Sequence, residues 1–80
     1  MVATAYVLIT VTHGMAKKVY EALSKIDGVA QVHAIAGPYD IIAVVQARDF
    51  NALGNLIVDK IQPVEGIERT LTCNVIEFEQ

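Results

Sequence analysis

Ala5-Tyr6-Val7-Leu8-Ile9-Thr10-Val11-Thr12 is a run of β-branched, aromatic and aliphatic residues of strand length. Successive side chains of a strand point to opposite sides. Val7, Ile9 and Val11 therefore fall on one face, and Tyr6 and Leu8 on the other. A second run, Ile41-Ile42-Ala43-Val44-Val45, divides in the same way, with Ala43 and Val45 against Ile42 and Val44. Strands apolar on both sides belong at the centre of a sheet whose two faces are both covered.

Outward from these two runs, the remaining elements fall into place. After His13-Gly14 the hydrophobic period lengthens: Ala16, Val19, Ala22, Leu23 and Ile26 recur at helical spacing, with Lys17, Lys18, Glu21 and Lys25 opposite. Asp27-Gly28 ends this helix. Val29–Ala36 reads as a second strand. Gly37-Pro38-Tyr39-Asp40 is a turn that leads into a third strand, Ile41–Arg48, as a hairpin. Asp49 suits the N-cap of a second helix, whose stripe is Phe50, Leu53, Ile57 and Ile61. Pro63 stops that helix, and Glu65-Gly66 opens a last strand, Ile67–Phe78.

Two strand–helix–strand units joined by a hairpin predict an α+β, ferredoxin-like βαββαβ sandwich. The antiparallel sheet has the order 4-1-3-2, and right-handed crossovers put both helices on one face. All residues, 1–80, are read as one domain, since this length leaves no room for a second. The first and third strands are central, as their composition demands. The second and fourth carry Gln31, His33, Thr70, Thr72 and Asn74, as edges should. With helices on one face only, the other apolar face needs a second chain. A few hundred Å² at ~25 cal/mol per Å² amounts to several kcal/mol, comparable with the whole stability of a small domain. The 54% hydrophobic content points the same way. A face-to-face dimer through the sheet is the expected form.

Composition excludes several function classes. The net charge is −3, and the six basic residues, Lys17, Lys18, Lys25, Arg48, Lys60 and Arg69, are scattered. Phosphate binding needs a concentrated basic stripe, so direct nucleic-acid binding is not expected. No run approaches the ~20 apolar residues of a membrane span, and Met1-Val2-Ala3-Thr4 lacks the basic flank of a signal peptide. A single cysteine, Cys73, allows no internal disulfide and fits a reducing cytoplasm. Its alternation with Leu71 and Val75 predicts burial. His13, His33 and Cys73 lack metal-site spacing, so no metal or other cofactor is expected. No nucleophile–base motif or phosphate-cradling loop is present.

Two groups of residues stand apart. A plain turn would be content with Asn-Gly, but this hairpin holds Gly37, Pro38, Tyr39 and Asp40. Asp40 either bonds backbone amides locally or accepts an ammonium group beside a wall formed by Tyr39. Assigning Leu71, Cys73 and Val75 to the helix side puts Thr70, Thr72 and Asn74 on the open face, where they mark either an edge or a lined cavity.

These motifs carry a family resemblance. The plan of elements, the Gly-Pro-Tyr-Asp hairpin followed by Ile41–Val45, and Gly66-Ile67-Glu68-Arg69-Thr70-Leu71-Thr72 after the second helix resemble the effector-binding domain of Lrp/AsnC transcription regulators. The resemblance covers essentially the whole chain. The sequence begins at the first strand, without a DNA-reading helix, and so looks like the stand-alone form of the domain, called RAM. The resemblance implies a non-enzymatic amino-acid effector module. It implies sheet-to-sheet dimers that join into rings, such as an octamer or decamer, with the effector between dimers. By the same resemblance Gly37, Tyr39 and Asp40 line the site, Asp40 takes the α-ammonium, and Thr70 and Thr72 complete it. A full-length Lrp/AsnC regulator is the implied protein partner. The competing readings are a dimeric α+β barrel enzyme using His13, His33 or Asn74, and a purely structural oligomer.

Overall fold

A computed structural model describes residues 2–78. The elements run β1 (Ala3–Val11), α1 (Ala16–Ser24), β2 (Val29–Ala34), β3 (Ile41–Ala47), α2 (Phe50–Leu56) and β4 (Ile67–Asn74). The sheet order is β2-β3-β1-β4 with every neighbouring pair antiparallel. This is the expected 4-1-3-2 order counted from the other edge, and the fold is ferredoxin-like α+β. Both helices pack on the same face. Val7 and Ile9 of β1 and Ile41, Ala43 and Val45 of β3 are buried beneath Val19 and Leu23 of α1 and Leu53, Ile57 and Ile61 from the second helical segment.

Asp49 caps α2 as its sequence position predicts: the carboxylate accepts a hydrogen bond from Ala52 N at 2.8 Å. Beyond Leu56 the helix widens into a π-helical turn, Ile57–Ile61, closed by Gln62 N donating to Ile57 O at 2.8 Å. Ile57 and Ile61 both remain in the core. Phe50 does not belong to that stripe. It begins the helix and is 56% exposed, beside Val2, Ala3 and Ile76.

The largest departure from expectation lies in β4. Thr10 pairs with Arg69, whereas the next residue, Val11, pairs with Ile67, so Glu68 is an extra residue in the ladder. One inserted residue turns every later side chain to the opposite face. Ile67 packs toward the core as expected. After the bulge Leu71 sits opposite Leu8 and Cys73 opposite Tyr6, on the open face. Thr70, Thr72 and Asn74 sit opposite Ile9, Val7 and Ala5, on the helix side. Cys73 is accordingly exposed, not buried. Polar residues are tolerated on the helix side because α2 lies over β1 and β3, leaving Thr72 and Asn74 exposed. Strand pairing also stops earlier than expected. β2 ends at Ala34, and β4 ends at Asn74, opposite Ala5, with Val75 N still donating to Thr4 O beyond it.

Candidate functional site

The open face of the sheet has an apolar centre: Tyr6 and Leu8 from β1, Ile42 and Val44 from β3, and Leu71 from β4, neighbours in register. Tyr6 and Leu71 are nearly half exposed. Gln31 and His33 on β2 and Thr10 and Arg69 on β1 and β4 form a polar rim. Four strands ~4.8 Å apart and about eight residues long present a face on the order of 500 Å² before side-chain relief. That approaches the roughly 800 Å² that each partner contributes to a stable protein interface.

At one end of this face lies the Gly37–Asp40 hairpin. Ile35 N donates to Asp40 O at 2.9 Å and closes the loop. Gly37 has φ +153°, a backbone angle unfavourable for residues with a Cβ, while the space around it is open. Glycine is thus needed here for backbone geometry and not for close packing. Asp40 ties the hairpin to the central strand. Its N–H donates to Ile9 O at 2.9 Å, and its Oδ2 accepts from Val11 N at 2.9 Å. The local reading of Asp40 therefore accounts for one carboxylate oxygen, through β1 instead of through its own turn. Among the described residues Oδ1 has no hydrogen-bond partner.

A cleft of about 320 Å³ opens between this hairpin and β4, lined by Thr10, Pro38, Tyr39, Arg69, Thr70 and Leu71. Of the five residues expected at a site, Tyr39 and Thr70 line this cleft. Gly37 and Asp40 shape the hairpin behind it. Thr72 lies elsewhere, with Asn74 in a groove against Leu53, Ile57 and Gln62. The Thr70 hydroxyl accepts from Gln62 Nε2 at 3.3 Å. Thr10 and Arg69 are additions that the sequence did not single out. No local sequence signal marks them: Thr10 is one of two threonines in β1, and Arg69 reaches this face only through the bulge at Glu68.

The residues of the enzyme alternative do not converge. His13 follows β1 in an exposed loop, His33 Nε2 lies 3.1 Å from Gln31 Oε1 on the β2 edge, and Asn74 is on the opposite face of the sheet. A larger hollow, about 430 Å³, lies against α1 and is walled by Ala16, Lys17, Tyr20, Glu21 and Ala34. Its two charged side chains are solvated and form no convergent polar set. Among the described residues no group of three His, Cys, Asp or Glu could hold a metal ion. No helix there is long and apolar enough to cross a membrane.

Comparison with known proteins agrees with the geometry. The family model of the Lrp/AsnC ligand binding domain matches residues 4–78. An HTH-type transcriptional regulator of Pyrococcus furiosus is 36% identical over 56 residues, which are 70% of this chain and 37% of that protein. The chain thus spans little more than a third of the curated regulator it matches. The crystal structure of TTHA0845 from Thermus thermophilus superposes with a TM-score of 0.89 at 32% identity, covering 98% of both chains. The fold also matches that of the transcriptional regulator NMB0573 from Neisseria meningitidis, solved as its L-Met complex. There the TM-score is 0.83 at 17% identity, over 94% of this chain and 50% of that one. With the hairpin, the bulged last strand and the sheet order in place, this chain belongs to the Lrp/AsnC ligand-binding domain family.

Proposed function

We propose that this chain is a non-enzymatic amino-acid effector module that acts from the cytoplasm as a single domain. It assembles face to face through its open sheet into dimers, and dimers join into a ring such as an octamer or decamer. A full-length Lrp/AsnC regulator is its protein partner, through which it modulates transcription without touching DNA itself. The observation that carries this reading is the position of the cleft under Tyr39, at the rim of an uncovered apolar face. A ligand held there touches the same edge that a neighbouring dimer would meet, so binding and assembly are energetically coupled. The bound L-Met named for the Neisseria structural neighbour supports an amino acid as the ligand class.

In this reading Gly37, Tyr39, Asp40, Thr70 and Thr72 belong to the effector site. Oδ1 of Asp40 receives the α-ammonium while Oδ2 stays on Val11 N. Thr70 and Thr72 contribute from β4, Thr72 by way of the contact between dimers.

A melting-temperature screen with the common L-amino acids tests this. A ligand at a hundredfold excess over its Kd adds about 2.7 kcal/mol to stability, roughly 10–20 °C in a domain of this size. Two variants separate the roles of Asp40. Asp40→Asn keeps an acceptor for Val11 N and retains the fold, but loses charge attraction, and the effector affinity falls at least tenfold. Asp40→Ala leaves that partly buried N–H unpaired and lowers stability by about 1 kcal/mol even without ligand. No shift with any amino acid would contradict the effector reading and leave only assembly.

A further inference from the structure

Three neighbouring positions cross the rim of the open face. Asp40 bonds to Ile9 O on one side of Thr10 and to Val11 N on the other, so it brackets Thr10 from the β3 side. On the β4 side Thr10 pairs with Arg69. A carboxylate in the hairpin just before β3, a hydroxyl on β1 and a guanidinium on β4 are thus neighbours in one row, and β3 and β4 are about 10 Å apart. The cleft opens over Thr10 and Arg69.

Two features of this row lack an explanation within the chain. Thr10 Oγ1 is buried and has no hydrogen-bond partner among the described residues. Buried hydroxyls are almost always satisfied, by protein groups or by water, and this orphan lies on a residue that lines the cleft, where a bound molecule could supply the partner. Arg69 is exposed, and no carboxylate lies within 4 Å of it among the described residues. In a chain of net charge −3, the one arginine on this cleft is left unpaired beside the orphan hydroxyl. The Glu68 bulge is what brings it there: without the extra residue, position 69 would face the helices.

We propose that Arg69 and Thr10 form a carboxylate anchor. The guanidinium fork meets the two carboxylate oxygens in a bidentate pair, and Thr10 Oγ1 donates to one of them. The proposal rests on the effector reading and sharpens it: Asp40 and Arg69 together match the two charges of a free α-amino acid. They discriminate against peptides extended at the carboxyl end and against amines without an acid group. The cleft, about 320 Å³, is at the small end for ligand sites, which suits a ligand of this size.

The test uses the full chain, Arg69→Gln and Arg69→Lys, with folding checked by an unchanged melting temperature without ligand. The probes are the L-amino acids, the carboxamide of each one that binds, and sodium acetate against a sodium chloride control. Titration calorimetry is expected to show an amino acid losing at least tenfold in affinity with Arg69→Gln and partly recovering with Arg69→Lys. Its carboxamide should bind wild type and Arg69→Gln equally weakly. An amino acid that binds Arg69→Gln as tightly as wild type overturns the anchor and leaves the effector reading standing. If no amino acid binds wild type, acetate decides. Acetate-induced NMR shifts at the Arg69 Nε–H of the wild type, together with shifts at the Thr10 amide that vanish in Arg69→Gln, uphold a carboxylate site while the amino-acid reading fails. Their absence overturns both.

Discussion

Leu8→Glu is expected to leave the fold intact and to abolish assembly. Leu8 lies at the centre of the open face, between Ile42 on β3 and Leu71 on β4. In a lone chain it is only half-buried, so a carboxylate there stays solvated and costs little. In a sheet-to-sheet dimer the same position is covered by the partner's sheet, and the charge loses its water without gaining a cation. Uncompensated burial of a charge costs several kcal/mol. About 3 kcal/mol corresponds to more than a hundredfold in the dissociation constant, and in a symmetric dimer the substitution acts twice. The readout is the dependence of melting temperature on protein concentration. Folding coupled to association makes the wild-type value rise with concentration, whereas that of Leu8→Glu should be flat. A variant that still melts at the wild-type, concentration-dependent temperature would place the interface elsewhere.

Leu23→Ala should act on the opposite face and with the opposite signature. Leu23 is fully buried where α1 meets the sheet, and its truncation leaves a cavity beneath the helix. Losses of about 3–5 kcal/mol are typical of such sites. At 0.05–0.15 kcal/mol per residue, a domain of this size holds roughly 4–12 kcal/mol in all. Urea denaturation should therefore show a midpoint lowered by roughly a quarter or more at every protein concentration, with oligomers persisting among the folded fraction. The two variants separate what holds the chain together from what joins chains, a distinction that follows from the sheet being apolar on both sides.

The central strands were legible in the sequence for a plain reason. Ala5–Val11 and Ile41–Val45 are apolar on both faces and, Tyr6 apart, buried or half-buried, so periodicity and composition agree on central positions in the sheet. The Asp49 cap was legible because a capping carboxylate acts within three residues of itself. The phase of β4 was not. Alternation from Ile67 predicts Leu71 and Cys73 inward, and nothing local announces that Glu68 is skipped by the ladder. A bulge is decided by how β4 fits against β1, far away in sequence. The same error hid Arg69, which alternation would have turned toward the helices.

Asp40 was legible as a residue with a purpose but not as one with a structural tie to Val11, because that bond spans the sheet. Phe50 shows a further limit. A helical period identifies a stripe, but which of its members is covered depends on packing, and Phe50 is left 56% exposed. The position of the cleft depends on all of these at once: the hairpin fixes one wall, the bulge the other, and Thr10 the floor.

Sedimentation equilibrium of the wild-type chain at micromolar concentration tests the central claim most directly. The claim is that the second apolar face of the sheet is an interface between copies of this chain. A mass of at least two chains is expected, rising to a closed multiple of dimers as concentration increases. A single species of one-chain mass across that range, with Tyr6, Leu8 and Leu71 left in water, would contradict it.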